Sequence, residues 1–226
     1  YWIPKYPGLE HRFRAWNKSE KQKSPDAITN WSSSRIVFRW GVIRQLGMID
    51  WPAPLVAHGL ALLRDPDVRF VENVSMNEVT QFTDARVFEG LHSMWYLDLA
   101  KTKVRELEPL GALRGLENLG LFRTPVERID ALASSRLINL DLRSTAVTDL
   151  RPLANVKTLE FVGLKDTAVR DIEPLLGLPR LREVWLYGSK VSKAAAEKLE
   201  QAIESRVHDE PRCRTGLSDS PIVYGP

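Results

Sequence analysis

The sequence predicts an α/β solenoid, a right-handed coil with a parallel concave sheet, a helical N-terminal cap and a C-terminal capping helix. Two observations carry this prediction. Apolar residues recur in phase about every 22 residues over more than half of the chain. A second apolar signature, often Pro-Leu, recurs at the same period half a turn later. The 226 residues, 43% of them hydrophobic, are enough for one such domain and its caps.

The repeat reads L-x-x-L-x-L-x-x-T-x-V. Its clear copies are Met94/Leu97/Leu99/Thr102/Val104, Leu116/Leu119/Leu121/Thr124/Val126, Leu137/Leu140/Leu142/Thr145/Val147, Leu159/Val162/Leu164/Thr167/Val169 and Leu181/Val184/Leu186/Ser189/Val191. Counted at residues 97, 119, 140, 162 and 184, the spacings are 22, 21, 22 and 22, so one copy is a residue short. The return limbs are Leu107-Glu-Pro-Leu110, Ile129-Asp-Ala-Leu132, Leu150-Arg-Pro-Leu153 and Ile172-Glu-Pro-Leu175. A worn copy lies upstream at Val71, Val74 and Met76, with a poorly fitting return limb at Phe82, Val87 and Phe88. L-x-L is a short strand with alternate residues turned inward. One coil cannot bury its own apolar face, but stacked coils share a continuous core. Threonine can bond backbone groups at the tight turn. Proline in the return limb fixes φ in a non-helical or 3₁₀-like segment.

With this pattern the chain resembles the 22-residue class of leucine-rich repeats found in bacterial internalins and in the leucine-rich regulator of protein phosphatase 1. The resemblance covers about residues 68–192 and implies a fold built for binding. The family's usual turn residue is asparagine, whereas here it is Thr or Ser. A second resemblance, of layout alone, is to the mitochondrial ATP synthase coupling factors (factor B, or subunit s). In them too a short basic N-terminal segment precedes a few repeats. It implies a subunit of a larger assembly and a mitochondrial setting.

The remaining elements follow in order. Residues 1–30 form a basic extended arm. Residues 1–50 hold nine Lys/Arg against four acids, so the chain's net +3 conceals +5 there and −2 elsewhere. The arm carries Trp2, Lys5, Arg12, Arg14, Trp16 and Lys18, residue types that anchor interfaces. Residues 31–67 form the N-terminal cap. Ser34 caps a helix over 35–49, a second helix covers 54–64, and Trp40 and Trp51 join the core. Residues 68–191 hold one degenerate and five clear repeats. Ser192 caps a helix over 192–207 with Ala195, Leu199, Ala202 and Ile203 on one face. Residues 208–226 are an extended tail.

Phase also fixes which side chains face outward from the sheet. One column is Asn73, Tyr96, Asn118, Asn139, Phe161 and Glu183; the next is Ser75, Asp98, Gly120, Asp141, Gly163 and Trp185; the third is Asn77, Ala100, Phe122, Arg143, Lys165 and Tyr187. Exposed strand positions are polar unless used. Tyr96, Phe122, Phe161, Trp185 and Tyr187 break that rule among Arg123, Arg143 and Lys165, with Asp98 and Asp141 toward the earlier coils. These ten residues form the expected partner-binding set. The alternative is that the chain's own arm or tail covers the rings.

No cofactor, metal or catalytic centre is expected. His11, His58, His92 and His208 are scattered without metal-ligand spacing, and Cys213 is the single cysteine. Asp98 and Asp141 sit two strands apart, about 9–10 Å, with basic neighbours that would hold both ionised. No stretch has the roughly 20 apolar residues of a transmembrane helix. The lone cysteine suits a reducing, intracellular compartment. The expected partner is a protein. Two alternatives stay open: nucleic acid bound by the basic arm, and a secreted bacterial internalin-like repeat protein.

Overall fold

The computed structural model describes residues 36–39, 42–48, 53–65, 68–206 and 222–223. Their nine strands form one sheet in sequence order: β1 Ile36–Arg39, β2 Val42–Gly47, β3 Asn73–Ser75, β4 Tyr96–Asp98, β5 Asn118–Gly120, β6 Asn139–Asp141, β7 Phe161–Gly163, β8 Glu183–Trp185 and β9 Ile222–Val223. Strands β2 to β8 pair in parallel, and the repeat phase is their register: Leu97 aligns with Leu119, Leu119 with Leu140, Leu140 with Val162, and Val162 with Val184. The inward residues of each strand and the one after it are buried, and Leu97, Leu99, Leu140 and Leu142 have no exposed surface.

Each coil returns through a short segment behind the sheet. Four are 3₁₀ turns at Ala85–Phe88, Glu108–Ala112, Asp130–Leu132 and Arg151–Asn155, and the fifth is a single helical turn at Glu173–Leu176. Their leucines Leu110, Leu132, Leu153 and Leu175 close the core from the back. The worn first coil closes too, on Phe82, Val87 and Phe88.

Thr102, Thr124, Thr145 and Thr167 are buried, and each hydroxyl donates at 2.7 Å to the carbonyl three residues before it, on Leu99, Leu121, Leu142 and Leu164. The equivalent place in the first coil is Val79, where the backbone N–H alone reaches the Met76 carbonyl. Just before each threonine the chain turns through a left-handed corner. Glu78, Lys101, Arg123, Ser144 and Asp166 have φ of 54–67°, and Gly188 closes the series at 69°.

The short copy loses its residue behind the sheet. Leu113, Val156 and Leu178 follow the return-limb leucines by three positions and fill the back of the core. In the coil between β5 and β6 that position is Ser135, whose N–H makes the equivalent bond to Leu132. Its hydroxyl is buried with no hydrogen-bond partner.

The caps depart from expectation at one end. The helix expected over 35–49 is instead an antiparallel pair, β1 and β2, with Ile36 opposite Leu46 and Arg39 opposite Val42. The β-branched residues Ile36, Val37, Val42 and Ile43, with Gly41 among them, disfavour a helix. The deciding contact is distant: Leu46 pairs with Val74, and Ile43, Leu46 and Met48 are buried, so β2 is a further rung. The second helix of the cap forms at Ala53–Leu63. At the other end Ser192 accepts a hydrogen bond from the Ala195 N–H and starts the helix Lys193–Glu204, which buries Ala196, Leu199 and Ile203. Beyond it, Ile222–Val223 adds to the sheet beside β8. Trp40, Trp51 and the rest of the tail lie outside the described residues.

Candidate protein-interaction surface

The outward columns of the sheet are in register as the phase requires: Tyr96 beside Asn118, Asn139 beside Phe161, Phe161 beside Glu183, and Gly163 beside Trp185. At the C-terminal end the side chains interlock. The Phe161 and Trp185 rings meet edge to face, 5.1 Å between centroids. The Arg143 guanidinium lies 4.9 Å from the Trp185 ring and 5.1 Å from that of Phe122. Arg123 also lies 5.0 Å from the centre of the Phe122 ring, and the Lys165 ammonium 4.9 Å over Tyr187. Glu183 accepts the Trp185 indole N–H. Each cation–π contact is worth about 0.5–2 kcal/mol and each edge-to-face pair about 0.5–1.5 kcal/mol.

Asp141 holds Arg143 in this place. Its carboxylate accepts from the Arg143 Nε at 2.8 Å, Nη2 at 2.6 Å and backbone N–H at 3.0 Å. Room for that carboxylate comes from Gly163 on the next strand, where a Cβ would stand 2.9 Å from Asp141 Oδ1 and 3.1 Å from Arg143 Cγ. Gly120 makes the same room for Asp98. The glycines in this column are therefore sockets for the aspartates one rung earlier.

Asp98 is held differently from Asp141: among the described residues no cation forms an ion pair with it as Arg143 does with Asp141. Burial pushes its carboxyl above the ordinary range, against the opposing pull of the Ala100 N–H at 2.9 Å and the Ser75 hydroxyl at 3.4 Å. Burial, then the Asp98 charge, push the neighbouring Tyr96 phenol up to about 12. Trp95, absent from the expected set, stacks edge-on against Tyr96 at 6.0 Å.

The ten expected partner-binding residues thus fall on one face in two groups. Phe122, Arg123, Asp141, Arg143, Phe161 and Trp185 form the interlocked array, with Lys165 and Tyr187 as a cation–π pair at the same end of the face, and Tyr96 and Asp98 form the second, half-buried group nearer the N-terminus. Arg123 and Tyr187 are exposed, and the other eight are half-buried. The basic-arm residues Trp2, Lys5, Arg12, Arg14, Trp16 and Lys18 lie outside the described residues. Among the described residues, no cluster of His, Cys, Asp and Glu has metal-site geometry, and no helix is long and apolar enough to cross a membrane.

Sequence reasoning passed over a second feature of this edge. A cleft of ≈ 880 Å³ opens at the corners of the first to fourth coils, where Thr80, Thr83, Lys103 and Arg105 join Lys101 and Arg123. Its signal was available, since Thr80, Lys103 and Pro125 share one offset from the corner, but they are far apart in sequence.

No family model and no curated protein sequence matches the chain. Solved structures do. An internalin (inlF) from Listeria monocytogenes aligns with a TM-score of 0.56 at 22% identity, over 61% of this chain and 40% of that one. Internalin C2 from the same species aligns with a TM-score of 0.52 at 30% identity, over 55% of each chain. A leucine-rich-repeat protein of Leptospira interrogans aligns with a TM-score of 0.52 at 15% identity, over 61% of this chain and 42% of that one. The chain therefore spans about half the length of these structures. Together with the register, they establish the leucine-rich-repeat fold.

Proposed function

We propose that this leucine-rich-repeat chain is a non-catalytic protein-interaction module, an adaptor or subunit of a larger assembly in an intracellular, including mitochondrial, setting. It would grip its partner with the array on the sheet face. The carrying observation is Arg143, fixed by Asp141 between the rings of Phe122 and Trp185. Aromatic and arginine side chains are the commonest hot-spot anchors. Here they are already ordered on rigid strands, which lowers the entropy lost on binding. The structural neighbours support the same reading at a coarser level, since all are repeat proteins of this fold. The terminal arms would add contacts of their own.

The test is site-specific photo-cross-linking. A photoreactive residue at Tyr187 should trap a defined partner, and one at Arg128, exposed behind the sheet, should not. Trp185→Ala should weaken capture by at least about tenfold with a nearly unchanged melt. Equal trapping from both faces, or loss of capture only in step with loss of stability, would overturn the proposal.

A further inference from the structure

The corner cleft shares Arg123 with the array and adds charge of its own from Lys101, Lys103 and Arg105. Lys101 pairs with Glu78, and Arg105 lies 3.7 Å from Glu127. Lys103 and Arg123 have no carboxylate partner among the described residues. Thr80 and Thr83 add hydroxyls to the wall, and Glu106 is its one acidic lining residue. The cleft is continuous with the array, because Arg123 packs on the Phe122 ring that also faces Arg143.

We propose that this cleft receives an acidic stretch of extended polypeptide, whose carboxylates reach Lys103 and Arg123 while the flanking residues lie on Phe122 and the rings beyond it. The inference rests on the reading of the sheet face as a protein-binding surface and names the chemistry of the partner. Charge spacing favours a peptide over a nucleic acid. Glu78, Glu106 and Glu127 are interspersed with the four cations, so a continuous phosphate backbone would meet repulsion along the cleft. Separated carboxylates can settle on the two unpaired cations and leave the internal pairs standing. Such contacts act chiefly on encounter and selectivity and weaken with salt.

The experiment is fluorescence anisotropy with three labelled probes: a peptide alternating Glu and Ala, its Gln counterpart, and an oligothymidylate of equal charge. The full chain should bind the Glu peptide, and the dissociation constant should rise at least about tenfold between about 50 and 300 mM salt. The Gln peptide and the oligothymidylate should bind at least about tenfold more weakly. Lys103→Glu with Arg123→Glu should remove binding of the Glu peptide while the melt stays put. If that double variant loses its fold, Lys103→Gln with Arg123→Gln takes its place and should weaken binding in the same direction. Undiminished binding by the charge variants, no binding by the native chain, or tighter binding of the oligothymidylate would each overturn the inference. The photo-cross-linking and Trp185→Ala results do not depend on the cleft, so the array can stand when the cleft fails.

Discussion

Removing a hydroxyl from this solenoid should stabilise it at one position and destabilise it at another. At Ser135 the Oγ is buried without a hydrogen-bond partner. Leaving such a group unsatisfied costs about 1–3 kcal/mol, and Ser135→Ala removes it while keeping the Cβ, so a gain of about 1 kcal/mol is expected. In a chain of this size that corresponds to a rise of about 2–4 °C in Tm. Thr145 is the opposite case. Its hydroxyl donates at 2.7 Å to the Leu142 carbonyl, which also receives the Thr145 N–H at 3.2 Å. Thr145→Val keeps the shape and loses one bond, at a cost of about 1 kcal/mol. The loss should go no further, because Val79 already closes the first coil without a hydroxyl. Thermal and urea melts of both variants, followed by circular dichroism, read the two signs directly. Should both variants move the same way, the hydroxyls are not what distinguishes these sites, and the hydrogen-bond argument fails.

Three further outcomes are expected. Ser144→Gly relieves a non-glycine residue held at φ 54° and should raise stability by up to about 1 kcal/mol; an unchanged or lower melt would mean that the corner carries no strain. Gly163→Ala places a methyl against Asp141 and Arg143, so it should displace Arg143 from Trp185 and weaken partner capture more than it lowers the melt. For Tyr96 the folded chain holds the proton up to about pH 12, while the unfolded chain releases it near the ordinary value of about 10. The unfolded state therefore binds fewer protons between those values, and stability should fall as pH rises through that window. Tyr96→Phe should lose less stability over the same range, and identical pH profiles would refute the assignment.

The coils and the outward columns were legible because their information is local and periodic. Each L-x-L fixes its own alternation, and the common spacing fixes the register of Asn73 on Tyr96 and Asn139 on Phe161. What stayed hidden depends on partners far along the chain. Residues 42–47 are recognisable as a rung only once Val74 offers Leu46 a neighbour. How differently Asp98 and Asp141 are held was not legible, because charge in the neighbourhood is not charge in contact. Arg143, two residues along from Asp141 in its own coil, folds back on that aspartate, and Asp98 keeps only neutral hydrogen-bond donors. The corner cleft needs four coils to converge, and no single window of sequence contains it.

The strand pair at the start of the sheet bears on how the chain reaches its final form. Only two residues separate β1 from β2, whereas every later rung must wait for at least 18 intervening residues to swing round. Closing the longer span costs on the order of 2 kcal/mol more in chain entropy. Local pairings also form fastest. Winding therefore has a favoured starting end, the one that leaves the ribosome first, and every later turn is laid down on an edge already waiting for it.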